Sequence, residues 1–251
     1  MKHNLRIITI NLCDEYPGKK TTLLNKWITI LLKVKGDVIF LQEINSFNLE
    51  KLTNELGLKM LNINNSEGTC VLINPFKLTI IDNNHVKIKS GIKPIYIGGI
   101  HLDDVPSLPH HMNNMAYKSS EIIPLSYSLD KLLKLCTKRR LPRIKTEMEQ
   151  LKKTDRAIIA GDFNEPSHFD LDKIKVPISK EFEKHGFIDT YHYINPDEVG
   201  YTWPAGELYK KEPKQRVDII YTKNLKVVDS FIYEGEKWIS DHRMVVADLV
   251  L

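Results

Sequence analysis

Short apolar runs alternate along this chain with longer segments whose apolar residues recur at helical spacing. The runs at 7–12, 38–41 and 157–160 predict strands that are buried on both faces. Residues 21–33 carry apolar side chains on one helical face and predict a helix. A second helix is predicted over 48–56, closed by Gly57 at the position that favours a left-handed residue.

The rest of the chain completes the predicted architecture. Strand patterns follow closely between residues 60 and 100 and predict antiparallel hairpins. Residues 103–128 lose all periodicity and predict an irregular segment, after which we expect helices over 129–150 and 178–185 and closing strands at 216–221, 226–233 and 244–251. We therefore predict an α/β (α+β) fold, a four-layered sandwich of two packed mixed or antiparallel β-sheets flanked by helices.

Composition favours one intracellular domain. The 251 residues are 42% hydrophobic and 27% charged, enough for a sizeable core, and we expect a single catalytic domain over 1–251. No apolar run approaches the roughly 20 residues that a membrane-spanning helix needs. The first residues lead into a strand pattern without a signal peptide, and the three cysteines form no pairable framework, so we expect a cytoplasmic protein.

Charge is modest overall but locally concentrated. The formal net charge is +4, and lysines and arginines are dense over 131–153. A stretch of this kind attracts polyanions, so it is a candidate contact surface for nucleic acid. The alternative is an ordinary solvated helix face.

The residues directly after the strand predicted at 157–160 include the first candidates for a catalytic or metal-binding role. Gly161 is followed by Asp162 and, two positions later, Asn164. Alternate side chains of an extended chain share a face, so these two polar groups should point the same way. Taken alone, the pattern is also typical of a strand-to-turn junction.

Further polar residues stand at or beside the ends of the predicted strands. They are Asn11, Glu43, His101, Asp218, Asp241 and His242. Strands that share one sheet edge would bring these side chains into one cleft. Carboxylates without cysteine supply hard oxygen ligands that suit Mg²⁺ or Mn²⁺. The sequence has no zinc-type spacing, phosphate-binding loop or Gly-x-Ser-x-Gly turn, so zinc, NTPase and serine-esterase interpretations have no support. A metal ion with carboxylates and two histidines around a water suits phosphoester hydrolysis, which is the chemistry that we expect.

In chain order, these residues and their neighbours resemble the endonuclease/exonuclease/phosphatase superfamily of metal-dependent phosphoesterases. The resemblance covers essentially the whole chain. It is carried by Asn11, Leu41-Gln42-Glu43, His101-Leu102, Gly161-Asp162-Phe163-Asn164, Thr202-Trp203, Arg216-Val217-Asp218 and Ser240-Asp241-His242. The run at 161–168, Gly-Asp-Phe-Asn-Glu-Pro-Ser-His, is similar to a bacterial subgroup of hydrolases.

The resemblance implies roles for individual residues. Glu43 would be the principal metal ligand, with Asn11 beside it and Asp241 as a further ligand. Asp162 would orient or deprotonate the attacking water, and Asn164 would hold that water or a phosphoryl oxygen. The remaining catalytic roles fall to His101, which would donate to a phosphoryl oxygen or the leaving group, and to His242, oriented by Asp218 against the scissile phosphate.

Structural alternatives exist for each of these residues. Asn11 and Asp241 could cap turns, and Glu43 could begin a helix. Trp203 could stack on a substrate or pack beneath His242. Arg216 is a candidate phosphate contact but also a candidate for a structural ion pair. We expect His110, His111 and His168 to be exposed loop residues.

The sequence leaves the substrate open. Where abasic-site endonucleases of this superfamily have a tyrosine, this chain has His101, which weighs against that activity. A nuclease-like phosphodiesterase would use the basic stretch as a nucleic-acid surface. A phosphatase or phosphodiesterase of a small-molecule or lipid-derived head group, such as an inositol phosphate or a sphingomyelin-like lipid, would use 103–128 as a selective wall. A non-catalytic binding protein is the third possibility.

Overall fold

Two six-stranded sheets make up the centre of the molecule. The structure is a computed structural model and describes residues 4–13, 20–64, 67–89, 93–117, 123–151, 154–171, 174–206, 209–234 and 240–251. The strands are β1 Asn4–Asn11, β2 Val38–Gln42, β3 Lys59–Asn64, β4 Thr69–Ile73, β5 Leu78–Asp82, β6 His85–Ile88, β7 Ile95–His101, β8 Ala157–Asp162, β9 Ile188–Asp189, β10 Asp218–Lys223, β11 Lys226–Tyr233 and β12 Met244–Val250. The helices are α1 Lys20–Val34, α2 Ser46–Leu56, α3 Leu108–Met112, α4 Leu129–Gln150, α5 Pro177–Lys184 and α6 Thr190–Ile194.

The strand order is β11-β12-β1-β2-β4-β3 in the first sheet and β5-β6-β7-β8-β10-β9 in the second. Each sheet has a central parallel pair, β1 with β2 and β7 with β8. The other neighbouring strands pair antiparallel. Helices α1 and α4 supply the crossover connections that parallel neighbours require.

Apolar side chains fill three layers. Between the sheets, Ile7 and Phe40 pack in one cluster with Ile97, Ile158 and Ile220 of the other sheet. The next residue of each strand points outward because side chains alternate across a sheet. On the outer face of the first sheet these residues pack against α1, and on the outer face of the second they pack against α4 and α5. The predicted four-layered sandwich is confirmed.

Capping side chains set the first residue of two helices, of which α4 has the predicted bounds and α2 begins two residues before the predicted start. Helix α2 begins at Ser46 because the Asn45 side chain accepts a hydrogen bond from Asn48 N at 2.9 Å. Helix α4 is capped in the same way by Ser128. The segment predicted to be irregular contains the short helix α3, and residues 118–122 of that segment lie outside the described residues.

No helix in the described ranges has the length and apolar character that a membrane crossing requires.

Candidate active site

Strand pairing brings the predicted polar residues to one end of the two sheets. In the first sheet, Asn11 pairs in register with Gln42, directly before Glu43. In the second, His101 pairs with Asp162, and Asp162 pairs with Asp218 at the start of β10. Because β12 runs antiparallel to β1, the residues just before Met244 lie at the same end. The carboxyl ends of parallel strands meet there, so the site is a consequence of strand register.

Gly161 is required by the close approach of β8 to β7. Its φ is 152°, and a Cβ atom there would lie 1.8 Å from the Ile100 carbonyl oxygen. Any side chain would therefore push the two central strands of the second sheet apart. This glycine fixes the position of the next residue, Asp162, in the site.

Asn11 connects the two sheets at the site. Its Oδ1 accepts from Cys13 N at 3.0 Å, which turns its amino group toward two carboxylates. Asn11 Nδ2 donates to Glu43 Oε1 at 2.8 Å and to Asp162 Oδ2 at 3.1 Å. Glu43 has a φ of 53°, in the left-handed region that non-glycine residues rarely occupy. Backbone strain of this kind is typical of functional positions.

His242 lies between two buried carboxylates. Its Nδ1 is 2.8 Å from Asp218 Oδ2, and its Nε2 is 3.7 Å from Asp162 Oδ2. Burial opposes protonation of the imidazole, but Asp218 and Asp162 raise the pKa of His242 well above its usual range. Burial likewise raises the pKa of Asp162, against the attraction of the imidazolium. The three groups form a buried cation flanked by two acids.

His101 faces the same carboxylates from β7. Its Nδ1 lies 2.9 Å from the Glu67 carbonyl oxygen, which can only accept, so Nδ1 carries the hydrogen. The other ring nitrogen, Nε2, faces Glu43 Oε1 at 3.6 Å and Asp162 Oδ2 at 4.0 Å. The Glu67 backbone thereby orients the imidazole toward the cleft.

Asn164 and Asp241 complete the predicted set. Asn164 has a φ of 49°, and its backbone N–H donates to Asp162 Oδ1 at 2.8 Å. Its amide group donates to the Leu102 carbonyl oxygen at 2.8 Å. Asp241 Oδ2 accepts from Trp203 Nε1 at 3.3 Å, while its Oδ1 is buried without a hydrogen-bond partner.

Most of these side chains line an open cleft of about 820 Å³, and Asn11 and Asp218 are buried beneath them. We call the strand-end residues the cleft floor: Asn11, Glu43, His101, Asp162, Asn164, Asp218, Asp241 and His242. We call the surrounding residues of 103–117 and 203–215 the cleft wall. Seven carboxylate residues line the cleft, and among the described residues no lysine or arginine does: Glu43, Glu67, Asp103, Asp104, Asp162, Glu212 and Asp241.

The sequence did not identify most of the wall. Tyr117, Tyr209 and Glu212 line the cleft together with Trp203. The prediction that 103–128 would form a selective wall covers Tyr117, whereas no sequence pattern pointed to Tyr209 or Glu212. Glu67 was also missed, because it lies in a connection between hairpin strands that has no distinguishing local pattern.

Two predictions for histidine and arginine need correction. His110 is wholly buried rather than exposed, and the side chain of His168 is also buried, with Nδ1 2.8 Å from Ser179 Oγ. Arg216 does not reach the cleft. It is fully buried and forms ion pairs with Asp170 at 3.0 Å and Asp189 at 2.8 Å, so its role is structural.

The arginines of the basic stretch turn inward. Arg139 pairs with Asp103, and Arg140 is buried against Glu165 at 3.0 Å. Arg143 bridges Glu67 and Glu147. All three arginines are thus paired with carboxylates of this protein. Lys152 and Lys153 lie outside the described residues.

Two groups of side chains offer cation ligands. Ligand atoms of Asp162, Asp218 and His242 lie within 4.8 Å of one another. The imidazolium of His242 lies between those two carboxylates, compensates one of their two negative charges and has no free lone pair. Glu43, whose side chain is 42% exposed, offers its oxygens to the cleft, and Asp241 offers a buried oxygen without a hydrogen-bond partner. Hard oxygen donors of this kind fit Mg²⁺ or Mn²⁺.

Comparison with known proteins supports the fold assignment. No protein-family profile matches the chain. An uncharacterized protein of Caenorhabditis elegans, F14F9.5, is 27% identical over an alignment of 225 residues that covers 77% of this chain and 70% of the relative. Truncated C. elegans TDP2 has a similar structure, with a TM-score of 0.67 and 15% identity over 99% of this chain and 98% of that one. An endonuclease/exonuclease/phosphatase from Bacteroides vulgatus has a TM-score of 0.68 and 15% identity over 99% of both chains.

Proposed function

Because the chain has the fold of the endonuclease/exonuclease/phosphatase proteins, and because its cleft floor joins Glu43 to a buried acid–imidazolium pair, we propose that it is a metal-dependent phosphoester hydrolase. The observation that carries the proposal is the convergence of Glu43, Asp162 and His242, which Asn11 and Asp218 hold in place by hydrogen bonds.

The proposed metal ligands are Glu43 and Asp241, with Asn11 beside them. The buried, unpartnered Oδ1 of Asp241 supports this assignment, because a buried carboxylate oxygen without a donor is costly and a cation would satisfy it. The proposed ion is Mg²⁺ or Mn²⁺. When bound, it would neutralise negative charge that develops on the phosphoryl group and polarise that group for attack.

Side chains of the cleft floor would carry out the other steps of the reaction. Asp162 would orient the attacking water and accept its proton. Its raised pKa brings it closer to the range of an effective general base. The His242 imidazolium would donate to a phosphoryl oxygen and stabilise the charge that grows there, since preorganised donors in a water-poor site contribute strongly. Asp218 would keep that imidazole oriented, and Asn164 would hold the water or a phosphoryl oxygen.

His101 would act on the other side of the phosphoryl group. The Glu67 carbonyl fixes its Nδ1 hydrogen, so Nε2 is the nitrogen that faces the cleft. We propose that this nitrogen contacts a phosphoryl oxygen or the leaving group. Trp203, whose ring lines the cleft, would contact the non-reacting part of the substrate.

Two substrate classes follow. Nuclease-like phosphodiester hydrolysis is supported by structural similarity to proteins described as endonuclease/exonuclease/phosphatase. Hydrolysis of a small-molecule or lipid-derived phosphoester is favoured by a different observation. The described cleft lining is acidic and the arginines of 131–153 are engaged internally, whereas nucleic-acid channels are basic.

The deciding experiment is a substrate panel assayed with Mg²⁺ and with a chelator. The panel contains single-stranded and duplex DNA, RNA, bis-p-nitrophenyl phosphate and head-group phosphates. We expect Mg²⁺-dependent turnover of at least one phosphoester, a diester if the nuclease-like assignment holds. Steep inhibition by salt would mark a nucleic-acid substrate.

Substitutions in the cleft floor test whether its residues carry that activity. We expect Asp162→Asn and His242→Ala to abolish turnover while circular dichroism shows an intact fold. His185→Ala, which removes an imidazole outside the cleft, is the matched control and should leave the rate unchanged. Full turnover by Asp162→Asn and His242→Ala on every substrate that the wild type accepts would refute the assigned roles.

A further inference from the structure

The cleft wall holds a second chain of hydrogen-bonded side chains, separate from the floor. Ser107 Oγ lies 2.7 Å from His110 Nδ1, and His110 Nε2 lies 2.9 Å from Glu212 Oε2. The imidazole is completely buried, while Ser107 and Glu212 both line the cleft. The proposed phosphoesterase mechanism uses none of the three.

The direction of these hydrogen bonds follows from the chemistry of the partners. An ionised carboxylate can only accept, so His110 Nε2 carries a hydrogen and donates to Glu212. Burial lowers the pKa of His110, and this outweighs the opposing effect of Glu212, so the imidazole is neutral near pH 7. Its Nδ1 then has a free lone pair, and Ser107 must donate its hydroxyl hydrogen to it.

Ser107 does not make the hydrogen bond that a serine at the start of a helix usually makes. It is the N-cap residue of α3, yet its side chain makes no capping hydrogen bond. By contrast, Ser128 at the start of α4 accepts from Lys131 N at 3.3 Å. The Ser107 hydroxyl instead points its hydrogen at a base, and a carboxylate orients that base. This is the geometric signature of an activated nucleophile.

The surroundings indicate which ester would suit this serine. The Tyr117 and Trp203 rings lie 4.6 and 5.9 Å from the His110 ring, and Tyr209 lies beside Trp203 at 5.7 Å. These rings provide an apolar surface next to the hydroxyl. The described cleft lining holds seven carboxylate residues and no lysine or arginine, which disfavours an anionic substrate at a centre without a metal.

We propose that Ser107 is the nucleophile of a second, metal-independent activity of this cleft, the hydrolysis of uncharged carboxylic esters, with His110 as its general base and Glu212 as the residue that positions His110. This activity goes beyond the proposed phosphoesterase and does not depend on it.

The reaction balances without an additional reactant. Ser107 Oγ bonds to the ester carbonyl carbon as its proton passes to His110 Nδ1. His110 returns that proton to the leaving alkoxide as the carbon–oxygen bond breaks, which releases the alcohol and leaves an acyl-serine. Water then attacks the acyl carbon, losing a proton to His110, and the carboxylic acid leaves as Ser107 recovers its proton.

Labelling with diisopropyl fluorophosphate tests the nucleophile directly. The full-length protein is incubated with the reagent in the presence of a chelator, and the adduct is located by peptide mass spectrometry. We expect one adduct on Ser107 in the folded protein, none after heat denaturation, and chelator-resistant hydrolysis of p-nitrophenyl acetate that Ser107→Ala loses. Ser128→Ala, another N-cap serine, is the matched control and should label like the wild type.

Glu212→Gln separates a working relay from a merely structural contact. We expect it to slow labelling at least about tenfold. It should also move the midpoint of the pH profile of labelling downward, because Glu212 raises the pKa of His110. An unmodified Ser107 in the folded protein, while a known serine hydrolase in the same tube is labelled, would overturn the proposal. Equal labelling rates and pH midpoints in wild type and Glu212→Gln would overturn the relay.

Discussion

The cleft floor and the cleft wall are built by different means. Floor residues stand at or beside strand ends, and backbone pairing within a sheet positions them, as with His101 opposite Asp162. The wall is held by side-chain contacts between distant segments, such as Arg140 with the Asp103 carbonyl oxygen and His110 with Glu212. Strand register thus fixes the groups proposed for chemistry, and individual side-chain contacts fix the surface that would meet the rest of the substrate.

Two histidines show the same contrast. His242 in the floor lies between two buried carboxylates, which raise its pKa well above the usual range despite burial. His110 in the wall has one carboxylate partner, and burial lowers its pKa. The surroundings of the floor histidine therefore favour its protonated form, and those of the wall histidine favour its neutral form. The pKa of one residue type shifts in opposite directions because its neighbours differ.

The largest expected effect comes from removing charge in the floor. Glu43→Gln keeps the side-chain shape but removes the proposed ligand charge, so we expect kcat to fall about 10³-fold. Glu67→Gln, in the same cleft but paired with Arg143, should lower kcat less than about tenfold. Steady-state kinetics across a Mg²⁺ titration measure both. Equal losses in the two variants would argue against Glu43 as the distinctive ligand.

The next effect concerns the stability of the protein and the buried Arg140, which holds residues of the cleft wall by hydrogen bonds. Arg140→Met leaves Glu165 buried without its cation and removes hydrogen bonds to the Asp103 and Pro106 carbonyl oxygens. We expect the free energy of unfolding to fall by about 3 kcal/mol or more. Arg139→Met is the matched control. Its ion pair is more exposed, so it should cost less than about 1 kcal/mol in urea unfolding. Similar losses would show that burial does not distinguish the pairs.

A smaller effect should separate binding from chemistry. Tyr209 lines the cleft beside Trp203, with 5.7 Å between the two ring centroids. We expect Tyr209→Ala to raise KM about tenfold with little change in kcat, because the aromatic surface would bind substrate and transition state alike. Tyr193→Ala, at an exposed tyrosine outside the cleft, should change neither constant. A fall in kcat at constant KM would place Tyr209 in the chemical step.

The smallest effect is a dependence of stability on pH. Burial depresses the folded-state pKa of His110, whereas the unfolded chain binds a proton at the ordinary histidine pKa of about 6.5. Stability is therefore complete above that pH, falls as pH drops below it, and levels off below the folded-state pKa. His110→Gln should flatten the decline in melting temperature between pH 7 and pH 5. Parallel profiles in the two proteins would show that His110 does not contribute.

The sequence predicted the floor far better than the wall. Apolar runs that stop at Asn11, Glu43 and Asp162 are local patterns, and sheet geometry converts them into a shared site. Nothing local marks His110 as buried. Its environment depends on Glu212 and Trp203, which come from the other end of the chain. The burial of Arg216 likewise depends on Asp170 and Asp189, whose spacing carries no signal.

The position of β12 has a consequence for how the protein folds. This last strand lies between β11 and β1, and the Ser240 hydroxyl just before it donates to the Asn11 carbonyl oxygen at 2.6 Å. Strands β1 and β12 must therefore pair before the cleft floor is assembled. Unfolding of β12 alone would separate Asp241 and His242 from the other floor residues, so the activity proposed for the floor requires both strands to be folded.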